Sequence, residues 1–143
     1  MELLEKLTRR QVETLMIIKE KEAPDRGASL RAIASSLKIT PPSALGHLTV
    51  LEEMGLVIRH RGKTRLTPNG LNALIEYQRH HHIAETLFSR MGFSPDEICA
   101  AAHEVDFALS HKTIEQLCKA AGHPEKCPHG EPIPPCSGKK SEN

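Results

Sequence analysis

Ser29-Leu-Arg-Ala-Ile33-Ala-Ser-Ser-Leu37-Lys-Ile-Thr40-Pro41-Pro-Ser-Ala-Leu45-Gly-His-Leu48-Thr-Val-Leu51-Glu-Glu-Met-Gly55 holds two short apolar repeats of helical period separated by a tight turn. In the first, Leu30, Ile33, Ala34 and Leu37 recur at the spacing of one buried helix face, and Ser29 is placed to cap its start. In the second, Thr40 is the cap and Pro41 takes the first helical position, where its missing N–H had no intrahelical partner anyway. Leu45, Leu48 and Leu51 are expected to pack inward, and Gly55 supplies a left-handed terminator. Two helices joined in this way predict a helix-turn-helix. Its second helix would enter the major groove of duplex DNA with Lys38, Thr40, Pro42, Ser43, Ala44 and His47 toward the bases and phosphates.

The flanking segments extend this reading. Upstream, Thr8-Arg-Arg-Gln11 is a capping box for a helix to about Glu22, with Val12, Leu15, Met16 and Ile18 on a half-buried face. Downstream, Leu56 to His60 and Lys63 to Leu66 bracket Arg61-Gly62, the pattern of a β-hairpin. A hairpin directly after a recognition helix is a wing. Arg59, Arg61, Lys63 and Arg65 fall within seven positions of it and can reach phosphates or a minor groove, although a solvated surface hairpin carries the same charges. Charge is uneven along the chain. Residues 1–70 carry 12 Lys/Arg against 8 Asp/Glu, residues 71–143 carry 7 against 10, and the formal total is +1.

The second half reads differently. Thr67-Pro68 opens a long fourth helix, apolar at Leu71, Leu74, Ile75 and Leu87, which ends at Met91-Gly92-Phe93. Ser94-Pro-Asp-Glu97 opens a fifth, and Ser110 caps a sixth that runs through Leu117 to Gly122. All 4 cysteines and seven of the 9 histidines lie after residue 78. His81 and Glu85 stand four apart on the fourth helix, and Cys99, His103 and Asp106 follow the i, i+4, i+7 spacing on the fifth. Brought together, these faces predict a coordination site for a divalent transition metal built from imidazole, carboxylate and thiolate. Plainer readings stand beside it: a surface His/Glu pair, Cys99 as a small buried hydrophobe, and His80 and His82 as outer groups or exposed side chains.

The expected organisation is a mainly α chain: a winged helix-turn-helix domain over 1–70, a helical dimerisation and metal-binding domain over 71–122, and a Pro/Cys/His-rich tail over 123–143 whose polar end is disordered. Cys118, His123, Cys127, His129 and Cys136 invite a zinc reading, but the paired C-x2-C spacing is missing and structural packing is the plainer account. With no apolar run of membrane-spanning length and no signal-peptide core, the expected location is the cytoplasm, where thiols favour metal or redox chemistry over disulfides.

At this point the sequence resembles the DtxR/MntR family of metal-dependent transcriptional repressors, in its short, two-domain form. The matching blocks are Ile39 to Ser43, Leu51 to Val57, Leu66 to Gly70, Arg79 to Glu85, Ala108 to Ser110, and Gly122-His-Pro with Cys127-Pro-His-Gly-Glu-Pro-Ile-Pro134. The resemblance implies a homodimer on an inverted-repeat operator, with Fe2+ or Mn2+ as effector; the Cys and His ligands admit Zn2+. His81 and Glu85 match family ligands directly, while Cys99, His103 and Asp106 are chemically sensible substitutes at ligand positions. Glu13 aligns with a carboxylate ligand of the manganese branch. Arg10 and Phe107 stand where ligands are expected, so at least one of the two family metal sites is altered or lost. Three function classes follow. These are a metal-responsive repressor of metal-homeostasis genes, a winged-helix regulator that is metal-independent or redox-responsive, and, least supported by motif, an enzyme using the Cys/His cluster.

Overall fold

The computed structural model describes residues 3–24 and 26–136, in two compact units. The disordered end expected for the tail falls on residues 137–143, outside the described residues.

The first unit, Leu7–Leu74, is a winged helix. It comprises α1 (Arg9–Lys21), a short strand β1 (Ala28–Ser29), α2 (Leu30–Leu37), α3 (Pro41–Glu53), β2 (Val57–His60), β3 (Lys63–Leu66) and the start of α4 (Pro68–Arg90). The local signals act as read. Thr8 and Gln11 close a capping box on α1, Ser29 accepts from the Ala32 N–H on α2, and Thr40 accepts from the Ser43 N–H on α3. Lys38 ends α2 in the left-handed region, φ 56°, which turns the chain sharply into α3. In the wing, Arg61 and Gly62 both have positive φ, 49° and 73°, as a two-residue hairpin of matched twist requires. The sheet order is β1-β3-β2, all antiparallel. The sequence reading missed β1, because two residues are too few to show an alternating pattern. Leu15, Ile18, Ile33, Leu48, Leu51 and Leu56 are the fully buried centre.

Helix α3 corrects one expectation. Ala44, not Leu45, joins Leu48 and Leu51 in the core: Ala44 is 0% exposed and Leu45 is 37% exposed. The buried stripe is therefore 44, 48, 51, spaced i, i+4, i+7, and the methyl of Ala44 lets α3 approach the core closely. Ala44 is removed from the groove-facing set and Leu45 turns outward.

At the start of α4, the Thr67 hydroxyl accepts from the Gly70 N–H (3.1 Å) and donates to the Gly55 carbonyl (2.6 Å). A β-carbon on Gly70 would run into the Leu56 carbonyl, which already accepts from the Thr67 N–H at 3.0 Å. Gly70→Ala therefore forces backbone to move, and is expected to cost about 1–3 kcal/mol of stability in chemical unfolding, with helix content retained.

The second unit contains residues 3–6 and Ile75 onward: the rest of α4, α5 (Pro95–Val105), α6 (His111–Ala120) and the following chain to Cys136. Glu97 anchors the start of α5 by accepting from the Ser94 N–H (3.2 Å) and hydroxyl (2.9 Å). Ser110 caps α6, and Glu5 accepts from the His111 N–H at 2.8 Å. Beyond α6, among the described residues, the chain adds an isolated bridge, Lys126 to Pro132, and is held down. Ile133 donates to the Glu125 carbonyl and Cys127 to the Glu131 carbonyl. Cys127, Ile133 and Cys136 are buried with Ile83, Ile114 and Cys118. Arg79 is buried, 4% exposed, with Glu115 as its ion-pair partner at 2.7 Å.

Candidate functional site

Helix α4 presents Tyr77, His81 and Glu85 four residues apart on one face, and α5 presents Cys99 and His103 with Asp106 at its end. They meet around the His81 ring. On one side, His81 Nε2 lies 2.8 Å from Glu85 Oε1 and 3.7 Å from Cys99 Sγ. On the other, His81 Nδ1 lies 2.8 Å from Asp106 Oδ2, which also accepts from the Tyr77 hydroxyl at 2.8 Å. His103 Nδ1 stands 3.7 Å from the same oxygen, on an exposed side chain.

The two sides of the ring have different chemistry. Nε2 has neighbours of two other kinds, Glu85 Oε1 and Cys99 Sγ, each approaching it separately, and Cys99 is exposed rather than packed as a small hydrophobe. Asp106 is 0% exposed and engaged with Nδ1. In this structure it orients the imidazole, as carboxylates behind metal-bound histidines commonly do. The five residues expected on these helices are therefore brought together as two sets, Nε2 with Glu85 and Cys99, and Nδ1 with Asp106 and His103. Glu13 lies in the other unit, on α1, where it pairs with Arg10 at 3.4 Å; Arg10 also donates to the Leu37 carbonyl at 2.8 Å.

Glu85 gathers further partners, His82 at helical i, i+3 spacing and His129 from far along the chain. His82 Nδ1 is 3.3 Å from Oε1 and His129 Nδ1 is 2.6 Å from Oε2, so the chain after α6 returns to the site. Cys127 shares a potential cluster with His82 and Glu85. Tyr77 was missed although its i, i+4 relation to His81 was legible. His80 is not an exposed bystander: it is 1% exposed, near Glu76 (4.0 Å) and stacked on His111. Burial, with the nearby His111 and Arg79 charges, drives its pKa down to about 4, so it is a neutral core imidazole. Burial pushes the Glu76 carboxyl up.

Whether the centre fits a metal is a question of charge and spacing. Glu85 and Asp106 are both buried carboxylates, 3% and 0% exposed, and the partners described around Glu85 are imidazoles. Such groups need a compensating positive charge. In the metal-free protein His81 supplies it. The Asp106 hydrogen bond raises the His81 pKa, burial opposes this, and the Glu85 and Asp106 charges raise it further. A divalent ion would supply the same charge. Donors on one tetrahedral ion stand roughly 3.3–3.8 Å apart; Cys99 Sγ already stands 3.7 Å from Nε2, the donor types fit, and an ion here would part Glu85 from His81 and draw Cys99 toward Glu85.

The DNA-facing candidates lie in the first unit. Lys38, Thr40, Pro42 and Ser43 are exposed, and His47 is half-buried. In the wing, Arg61, Lys63 and Arg65 are exposed, whereas Arg59 is half-buried and pairs in register with buried Thr64. Ile58 pairs with Arg65 and His60 with Lys63, so these four share the outer face. Together with Arg26, which the sequence reading passed over, they line a concavity of about 290 Å3. No helix among the described residues is long and apolar enough to cross a membrane.

A winged helix followed by a helical unit with clustered metal donors defines a class of DNA-binding regulator, and comparison with known proteins agrees. Residues 4–66 match the LexA DNA binding domain model, and residues 67–135 match the iron dependent repressor, metal binding and dimerisation domain model. Among solved structures, the hypothetical protein SSo2273 from Sulfolobus solfataricus is 31% identical with a TM-score of 0.84, covering 90% of this chain and 99% of that one. A manganese-dependent transcriptional repressor in complex with manganese is 28% identical (TM-score 0.70; 91% of this chain, 60% of that one). ScaR with bound Zn2+ is 25% identical (TM-score 0.76; 87% and 59%). The chain thus spans about three fifths of each of these two repressors. No curated protein matches it. The class is the metal-dependent, DNA-binding repressor of transcription. The chain belongs to the DtxR/MntR family of such repressors.

Proposed function

We propose that this protein is a cytoplasmic, homodimeric repressor of metal-homeostasis genes whose effector ion is held by His81 Nε2, Glu85 Oε1 and Cys99 Sγ. The observation that carries this reading is that Glu85 Oε1 and Cys99 Sγ each approach His81 Nε2 while Asp106 holds the other ring nitrogen. His103, beside Asp106, is an additional ligand or outer partner. A thiolate and an imidazole with one carboxylate favour Fe2+ or Zn2+ over Mn2+. Glu13 is left out of the site: its partner in the structure is the Arg10 guanidinium, a permanent cation where a family ligand is expected. This favours one effector site in place of the family's two. The test is operator affinity of the full chain with Fe2+ or Zn2+ and with chelator. Equal affinity in both conditions would replace this reading by a metal-independent winged-helix regulator.

The second unit also supports self-association. Met91 and Phe93 are 65% and 40% exposed, and with Ala100 and Ala101 they border one shallow surface that is rimmed by the carboxylates of Asp96, Glu97 and Glu104. Small residues beside large apolar ones suit close helix packing across a twofold axis. Light scattering should give a dimer at micromolar concentration, and Met91→Glu should shift it to monomer. The operator should then be an inverted repeat with half-sites about one helical turn, ~34 Å, or a multiple of it apart; a footprint covering one isolated half-site would contradict this.

A further inference from the structure

A second donor cluster lies where α6 ends. Cys118 is in the last turn of that helix, and the backbone then curls left-handed through Gly122 and His123, φ 78° and 54°. The His123 N–H donates to the Cys118 carbonyl at 2.9 Å. This curl carries the imidazole back, so that His123 Nδ1 lies 3.5 Å from Cys118 Sγ and 3.6 Å from Cys136 Sγ. All three donor atoms lie within 4.8 Å of one another. The thiols are buried, 4% and 7% exposed, among Ile114 and Ile133, while His123 is exposed at the edge. A cavity of about 130 Å3 is lined by these three residues together with Glu125 and Ile133.

Packing alone accounts for two small buried thiols, but not for the histidine. A left-handed turn is disfavoured for a residue with a β-carbon, and a glycine or asparagine would make the same turn more cheaply. What His123 adds is a ring nitrogen between two sulfurs. We propose that Cys118, His123 and Cys136 form a second metal site, for a soft divalent cation, Zn2+ foremost, that ties the chain after α6 to that helix. Binding breaks two S–H bonds, releases two protons and forms two metal–thiolate bonds and one metal–imidazole bond. Two thiolates neutralise the ion, so the complex carries no net charge into an apolar surround. A water in the cavity can take the fourth position, which keeps the complex neutral. No residue is shared with the His81 centre.

The test uses the full-length Cys99→Ser protein, whose remaining thiols all lie at or beyond α6, with Co2+ as a spectroscopic stand-in for Zn2+. One Co2+ per chain should give thiolate-to-cobalt charge-transfer absorption with tetrahedral d–d bands, and Zn2+ should bleach both. Cys136→Ser and Cys118→Ser should each reduce the charge-transfer intensity by about half, and the double variant should abolish it. His123→Ala, a change at an exposed side chain, should lower Zn2+ affinity at least ~10-fold. His81→Ala should leave these bands in place, which separates this site from the effector centre. Absence of thiolate absorption, its survival in the Cys118→Ser/Cys136→Ser double variant, or recovery of a Cys118–Cys136 disulfide whose reduced form takes up no metal, would each overturn the proposal.

Discussion

His81→Ala is expected to lower effector-metal affinity by more than ~100-fold and to abolish metal-dependent operator binding, while the winged helix stays folded. The ring is the one group that touches both sets of partners, with Glu85 and Cys99 at Nε2 and Asp106 at Nδ1. Removing it also leaves two buried carboxylates without their principal cation. Asp106→Asn should be milder, about 10–100-fold in affinity, because it loosens the ring without deleting a donor from the Nε2 side. The pH dependence follows from the raised His81 pKa. In the metal-free protein the protonated ring stabilises the fold fully below the unfolded-state value near ~6.5, and this contribution is lost as pH rises through the higher folded value. Metal binds the neutral ring and must displace that proton. Metal affinity should therefore fall as pH drops, with its midpoint above ~6.5. The metal-induced rise in melting temperature should be larger at about pH 8 than at about pH 6. Isothermal titration of wild type and both variants across this range checks both statements. An unchanged metal response in His81→Ala would locate the effector elsewhere.

Operator affinity is expected to fall about 1,000-fold between 50 and 200 mM salt. The candidate DNA-contact residues at the start of α3 are small or apolar, with Pro42, Ser43 and Leu45 exposed, and offer few strong base readers. Phosphate contacts must therefore carry much of the binding. If Arg61, Lys63 and Arg65 each neutralise one phosphate in both protomers of a dimer, six contacts give a slope of about −5.4 in log K against log salt. Arg65→Ala should flatten the slope by about 2 per dimer and weaken all sequences alike. Arg59→Ala should leave the slope unchanged, since Arg59 lies on the opposite face of the hairpin from Arg65, paired with buried Thr64. A salt-independent affinity, or equal effects of the two substitutions, would contradict this account of the wing.

The sequence by itself determined the elements of the fold and the residue types of the candidate site. Caps at Thr8, Ser29, Thr40 and Ser110, the Arg61-Gly62 turn and the i, i+4 apolar stripes act over a few residues, so they could be read without tertiary contacts. The pairing of His81 with Glu85 and the alignment of Cys99 with His103 are helix geometry alone. Tertiary structure decided what helix phase and long-range return of the chain control. It buried Ala44 in place of Leu45, because a stripe of 44, 48 and 51 brings α3 closer to its core than one beginning at 45. It divided the other four donors between the two sides of the His81 ring, since only the packing of α5 on α4 sets which atom each side chain reaches. It brought His129 to Glu85 across 44 positions and Cys136 to His123 across 13, through loop conformations that no periodic pattern encodes.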